Sequence, residues 1–339
     1  MLTGPDQVSV TSVAEPGVEH PQDAIVRVVR AAICGTDLHV AAHSGRAAGF
    51  ILGHEYVGEV TETGPAVTRV TAGDLVVGAD YTACGRCWWC ARRQHWHCPQ
   101  RRFFGTGPAF GPVLEGAQAE LVRVPHADVV LRHLPAGVSL DAAVFLGDTL
   151  ATGYAAVQRA GFQPGDTVVV VGGGPVGQLT SLVAQACAAG PVVLVEPVSA
   201  RRDLAAANGS VTADPPGARA AVDELTDGRG ADAVVDAVGG ALGLDAALGL
   251  VRAGGTVVSV GVHTSEAWPL PAARAFTAEL TLRFAIGDFM RDAQQLCALL
   301  RAGAVDPAVV ASERVSLDDV PAAYQRMAQR LTLKTLICT

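Results

Sequence analysis

The sequence predicts an α/β protein: a doubly wound parallel sheet joined to a β-rich domain. Three observations carry that reading. First, mostly aliphatic runs at Val168–Val171, Val192–Val195, Ala233–Val238 and Thr256–Val260 alternate with Ala-rich stretches. Strands buried on both faces look like this, and their alternation with helices implies parallel pairing. Second, the texture before Leu140 differs. Short β-prone runs, Ala24–Val29 and Glu55–Val60, are separated by turn signals at Gly64-Pro65, Gly73-Asp74 and Gly107-Pro108. Third, 339 residues make about two domains at roughly 150 residues each. The expected division is 1–148 for the β-rich domain, 149–285 for the parallel sheet, and 286–339 for a return to the first domain.

The elements after Ile286 are expected to be an amphipathic helix (Asp292–Arg301), a helix (Val320–Arg330) and a short final strand (Leu333–Cys338). The uncharged stretch from Thr167 to Val195 could be mistaken for a membrane span. Gly172-Gly173-Gly174-Pro175 and Gly190-Pro191 interrupt it, and Gln178, Thr180, Ser181 and Gln185 stud its middle. Backbone broken in that way cannot lie unpaired in lipid, so the stretch divides into strand, helix and strand. No membrane association is expected.

Half the residues are apolar and mean hydropathy is +0.31, so a large core can be buried. Charged residues make up only 17%, which argues against a disordered chain. A net charge of −8 argues against a nucleic-acid footprint. Met1–Val10 has neither a basic start nor an apolar run, so a cytoplasmic chain with reduced thiols is expected. Of 25 Lys+Arg residues, one is lysine: Lys334. Codon bias toward arginine accounts for the scarcity, though not for the place of the survivor.

A phosphate-binding turn follows the first aliphatic strand. Gly172, Gly174 and Gly177 match G-x-G-x-x-G, with Pro175 and Val176 opening the next helix. The first glycine permits the tight turn, the second lets backbone approach a pyrophosphate, and the third lets helix pack on strand. The N–H groups of the helix then face the phosphates. A second strand ends at Glu196, where a carboxylate would hold ribose hydroxyls and repel a 2′-phosphate. NAD is therefore favoured. Arg201 and Arg202 keep NADP open, since an arginine there can accept the extra phosphate.

Cys84, Cys87, Cys90 and Cys98 are spaced C-x2-C-x2-C-x7-C. Four thiolates at such spacing close a tetrahedron around Zn²⁺ and leave no position for water, which is a structural site. His95 and His97 fall inside the loop and are expected only to pack there. Three further groups are weak singly: Cys34 in Cys34-Gly35-Thr36-Asp37-Leu38-His39, His54 in Gly53-His54-Glu55, and Asp148 before a helix.

Together with the cysteine cluster and the dinucleotide turn, these residues resemble the zinc-dependent medium-chain alcohol dehydrogenases. The resemblance covers nearly the whole chain. It is nearest to the bacterial branch with aspartate as third ligand, which holds the glutathione-independent formaldehyde dehydrogenases and is similar to secondary-alcohol and polyol dehydrogenases. The resemblance implies a GroES-like catalytic domain and a Rossmann domain. It implies two zinc ions per chain, the catalytic one on Cys34, His54 and Asp148. Three protein ligands leave a fourth position for substrate oxygen. Hydride would pass between an alcohol, or its aldehyde or ketone, and NAD. Thr36 and His39 match the proton relay, Asp37 the carboxylate that orients the ligand histidine, and Glu55 an acidic neighbour able to approach the metal. Thr152 matches a residue beside the nicotinamide, and Val238, Val260 and Val262 match residues lining the cofactor groove. Phe104, Leu114 and Ile286 are expected at the substrate pocket. Homodimers or homotetramers would form through an edge strand of the cofactor sheet near Thr256–Val262.

Three departures from the family pattern stand out. Gly35 follows Cys34 where some members carry a phosphate-binding Arg or His. The usual first strand is short or missing. Aspartate replaces cysteine as third ligand. Lys334 matches a basic position on the family's last strand and is expected to reach the cofactor pyrophosphate. Two other readings share these motifs: a carbonyl or imine reductase of secondary metabolism, and a non-catalytic protein that binds zinc and NAD.

Overall fold

The computed structural model describes residues 1–43 and 48–339. The chain forms two compact units, Met1–Ala151 with Asp288–Thr339, and Thr152–Gly287.

The Thr152–Gly287 unit is built on six parallel strands. In spatial order they are Val211–Ala213, Val192–Val195, Val168–Val171, Ala231–Asp236, Val251–Ser259 and Thr281–Phe284. Numbered along the chain this is the order 3-2-1-4-5-6, that of doubly wound dinucleotide-binding sheets. The Val-rich runs form its centre because β-branched side chains fit a pleat packed on both faces. Val169, Val193, Val234 and Val257 are fully buried in one core cluster. Each such side chain stabilises the fold by roughly 1.5–3 kcal/mol. The stretch that mimicked a membrane span is strand Val168–Val171, helix Pro175–Ala186 and strand Val192–Val195. Among the described residues no helix is long and apolar enough to cross a membrane.

Two expectations are corrected here. The strand expected to run to Val238 ends at Asp236, because Asp236 Oδ1 accepts the N–H groups of Val238 and Gly239 and turns the chain. The strand containing Thr256–Ser259 is not an edge. It pairs with Ala231–Asp236 on one side and Thr281–Phe284 on the other. The edges of this sheet are Val211–Ala213 and Thr281–Phe284.

The other unit holds a seven-stranded, mostly antiparallel sheet. The long strand Ala24–Ile33 lies between Glu55–Thr63 and Thr335–Cys338, and Leu121–Val124 also pairs with it. Its register gathers chemistry at one end. Ile33 sits opposite Thr335, and Ala32 opposite Glu55. Cys34, His54 and Lys334 are each one residue beyond those positions, so the pairing brings all three together. The C-terminal helix Phe289–Arg301 is capped by the side chain of Asp288, which accepts from Arg291 N–H.

Candidate metal and dinucleotide sites

Cys34, His54 and Asp148 converge. One donor atom from each lies within 4.8 Å of the others. Cys34 follows a strand, His54 precedes one, and Asp148 precedes the helix Thr149–Ala160. His54 Nε2 lies 3.2 Å from Asp148 Oδ2, and Cys34 Sγ lies 3.5 Å from the same oxygen. Both His54 nitrogens are buried and find no hydrogen-bond geometry. A thiol, a carboxylate and an imidazole with both nitrogens unbonded, gathered this closely, form a donor set suited to Zn²⁺. Burial pushes the Cys34 thiol up, while Lys334 pulls in the opposite direction. Burial alone would depress His54. The charge of Asp37 and the contacts with Asp148 and Cys34 outweigh it and hold the imidazolium well above its usual range.

Asp37 is fully buried beneath this cluster. Its Oδ1 faces His54 Nδ1 at 3.2 Å, and its Oδ2 accepts the Cys34 N–H at 2.8 Å. The same oxygen accepts from Gln118 Nε2 at 3.0 Å. Thr36 and His39 are half-buried, one helical turn apart on Gly35–His43. The His39 ring stacks on His43 at 4.3 Å, and burial together with His43 lowers its pKa.

Lys334 departs from its expected place. Rather than projecting toward a phosphate, its side chain is 1% exposed and donates to Glu55 and, at 3.3 Å, to Thr149 Oγ1. Glu55 accepts from Thr149 through its other oxygen. A buried ammonium requires such partners, since an unpaired one costs several kcal/mol or more. Cys34, Glu55 and Asp148 outweigh burial and raise its pKa. The one lysine is thus the counter-charge of an acidic metal cluster. Asp80 is another buried carboxyl that motif reading did not single out. Burial, then Asp148, raises its pKa well above the usual carboxylate range. Phe104 and Leu114, expected at a pocket, lie in the core, with Phe104 edge-on to Tyr56. Ile286 is exposed in the other unit.

The four cysteines form a second cluster, again with all sulfurs within 4.8 Å. Cys87 and Cys90 sulfurs are 3.4 Å apart, and Cys84 and Cys90 are 4.0 Å apart. Zn–S bonds of about 2.3 Å in a tetrahedron put sulfurs about 3.8 Å apart, so the cluster fits the ion. Backbone N–H groups, that of Cys90 foremost, lower the Cys87 thiol to about 7. His95 does more than pack. Its ring nitrogen Nδ1 lies 3.0 Å from Asp288, tying the cysteine loop to the start of the C-terminal segment.

In the Thr152–Gly287 unit the fingerprint turn has the expected shape. Gly172 has φ +98°, and a Cβ there would press on Val238. A Cβ at Gly177 would overlap the Gly172 carbonyl oxygen. Gly174 is the N-cap of Pro175–Ala186, with open space where its side chain would be. That is a cradle a pyrophosphate could approach. Glu196 is buried, and its carboxylate accepts from Gly173 N at 2.7 Å and from Val198 N at 2.9 Å. Arg201 Nη1 lies 4.0 Å from it, whereas Arg202 donates to the carbonyls of Glu196 and Pro197. Val238 and Val262 flank Gly239 beside this turn, and Val260 donates its N–H to the Asp236 carbonyl. Thr152 begins the unit.

A doubly wound sheet with a phosphate turn and two zinc-type donor clusters defines a metal-binding dehydrogenase class. Comparison with known proteins agrees. Residues 20–136 match the family described as alcohol dehydrogenase GroES-like domain, and residues 175–302 match zinc-binding dehydrogenase. The chain is 36% identical over 327 residues to the probable zinc-binding alcohol dehydrogenase Rv1895 of Mycobacterium tuberculosis, covering 96% of this chain and 83% of that one. The solved alcohol dehydrogenase TADH from Thermus sp. ATN1 superposes with TM-score 0.95 at 36% identity, covering 99% and 98% of the two chains. A putative zinc-binding dehydrogenase from Sinorhizobium meliloti, solved bound to NADP, superposes with TM-score 0.86 at 29% identity, covering 100% and 98%. The chain belongs to the zinc-binding alcohol dehydrogenase family.

Proposed function

We propose that this protein transfers hydride between an alcohol, or its aldehyde or ketone, and NAD. The observation that carries this is the convergence of Cys34, His54 and Asp148, which would hold a zinc ion through three protein donors, as catalytic zinc sites do. Zinc bound there supplies Lewis acidity, which polarises a substrate oxygen and lowers the pKa of an alcohol. The chain's own residues do the rest. Asp37 holds the Nδ1 side of His54, so that Nε2 is presented to the metal. Thr36 passes the alcohol proton toward His39. Burial, then His43, lowers the pKa of His39 and so favours the neutral imidazole, the form that accepts a proton. Glu55 and Lys334 form a buried pair that balances the charge of the site.

The preference for NAD rests on Glu196, whose buried carboxylate at the end of the second strand disfavours a 2′-phosphate. The zinc stoichiometry is two per chain, and the working form is a homo-oligomer.

The test is a panel of primary, secondary, polyol and formaldehyde-type substrates, run in both directions with each dinucleotide. Zinc-dependent turnover with NAD ahead of NADP is expected. Glu196→Ala should shift kcat/KM toward NADP by about tenfold, a change of about 1.4 kcal/mol. No turnover with any substrate would defeat the enzymatic reading. Equal use of both dinucleotides by the parent would defeat the NAD assignment.

A further inference from the structure

Gln118 and Tyr324 belong to no motif, yet both are buried beneath the mixed metal cluster. Gln118 donates through Nε2 to Asp37 Oδ2 at 3.0 Å and to the Ala32 carbonyl at 3.3 Å. Its Oε1 accepts from the Tyr324 hydroxyl at 2.7 Å. Tyr324 lies on the last helix, Val320–Ala328. Hydrogen bonds therefore run from that helix through Gln118 to Asp37, whose other oxygen faces His54 Nδ1 at 3.2 Å.

The direction of the amide is set by chemistry. A phenol donates here, so the amide oxygen must turn to it and the amide nitrogen to the carboxylate. A flipped amide would set oxygen against carboxylate. Gln118 is also built into the turn that carries the ligand. Gly116, Ala117 and Gln118 donate their N–H groups to the carbonyls of Ile51, Gly53 and Leu52 at 2.9 Å each. Gly53 has φ +97°, and a Cβ there would overlap Gln118 Cγ. The residue before His54 is thus shaped to the glutamine side chain.

We propose that Gln118, oriented by Tyr324, is a positioning residue that fixes the Asp37 carboxylate against His54 and so tunes how tightly this cluster holds its metal. This rests on the reading of Cys34, His54 and Asp148 as a zinc site. Gln118 supplies a neutral donor that keeps Oδ2 of Asp37 occupied, leaving Oδ1 for the imidazole. Outer partners of this kind commonly govern affinity about 10- to 100-fold.

The experiment uses the full zinc-loaded chain and measures zinc retention against a chromogenic chelator, with zinc per chain by elemental analysis. Gln118→Leu should weaken one site about 10- to 100-fold and leave the other zinc in place. Tyr324→Phe should weaken the same site to a smaller degree. In the Gln118→Leu background it should add nothing, because its effect passes through the glutamine. Cobalt(II) in the mixed site should show a shifted visible spectrum in both variants. If Gln118→Leu loses both metals, Tyr324→Phe decides, since it removes one hydroxyl from unchanged packing. A parent with two zinc ions and variants with unchanged retention would overturn this inference alone. A parent that holds only one zinc would overturn the metal reading, and this inference with it.

Discussion

The two metal clusters differ in how far apart their donors lie along the chain. Cys84 and Cys98 are 14 residues apart, whereas Cys34 and Asp148 are 114 apart. Loop closure costs about 0.6 kcal/mol for each doubling of length, so about 2 kcal/mol more is needed to bring the second pair together. The chemistry differs too. Four sulfurs close a shell and hold a loop. Thiolate, imidazole and carboxylate leave a position open. The local cluster can form from its own turn. The distant one needs a sheet to gather it, and Asp37, Gln118 and Lys334 to hold its donors. Local spacing suits a staple, and long-range assembly suits a site that must be tuned.

The largest expected effect separates the clusters by function. Cys34→Ala should lower kcat/KM by on the order of a thousandfold, reduce zinc from two to one per chain and leave the fold intact. Activity assays with metal analysis check this, and retained turnover would break the division. Cys90→Ser should act the other way. Loss of a structural metal tie should lower Tm by about 10 °C, while the folded fraction keeps its kcat within a few-fold. If its kcat falls as far as that of Cys34→Ala, the cysteine lobe takes part in the chemistry.

Acidity should sharpen the contrast. Without metal, the folded-state pKa of His54 is raised above its unfolded value. The stability it contributes is fully present below about pH 6.5 and is lost as pH rises through the folded-state value. With metal the sign reverses, because a proton on Nε2 competes with zinc, so affinity falls as pH drops. Thermal melts of stripped and loaded protein across a pH series should therefore slope in opposite directions. Parallel slopes would mean that His54 is not a ligand.

The smallest effect serves as a control outside both clusters. Asp141 bridges Arg30 and Arg314, and these arginines outweigh burial and lower its pKa. That stability is present above about pH 3.9 and is lost as pH falls. Asp141→Asn should cost about 1 kcal/mol or less after solvent screening, measured by denaturant unfolding, with zinc content unchanged.

Much of the fold could be read from residue patterns. Val168–Val171 and Val192–Val195 are legible to the residue because buried parallel strands are uniformly aliphatic, the first stopping at Gly172 and the second running from Pro191 to Glu196. The cysteine cluster was legible from spacing alone, since its donors share one loop. Cys34, His54 and Asp148 became a set only through family resemblance, because no local pattern links them. Gln118 and Tyr324 carried no signal at all. They are 206 residues apart and meet only in the folded chain.

By itself, the sequence determined the alternation of elements, the phosphate turn and the cysteine staple. These are properties of neighbouring residues, decided by periodicity, by glycine and by ligand spacing. Only the tertiary structure decided where Lys334 lies. Strand register puts it opposite the end of Ala24–Ile33, and burial then obliges its charge to find Glu55. The same register placed Cys34 beside His54 and hid Asp37 and Gln118 below them. Side chains far apart in sequence acquire partners only when the backbone hydrogen bonds of a sheet fix who stands opposite whom.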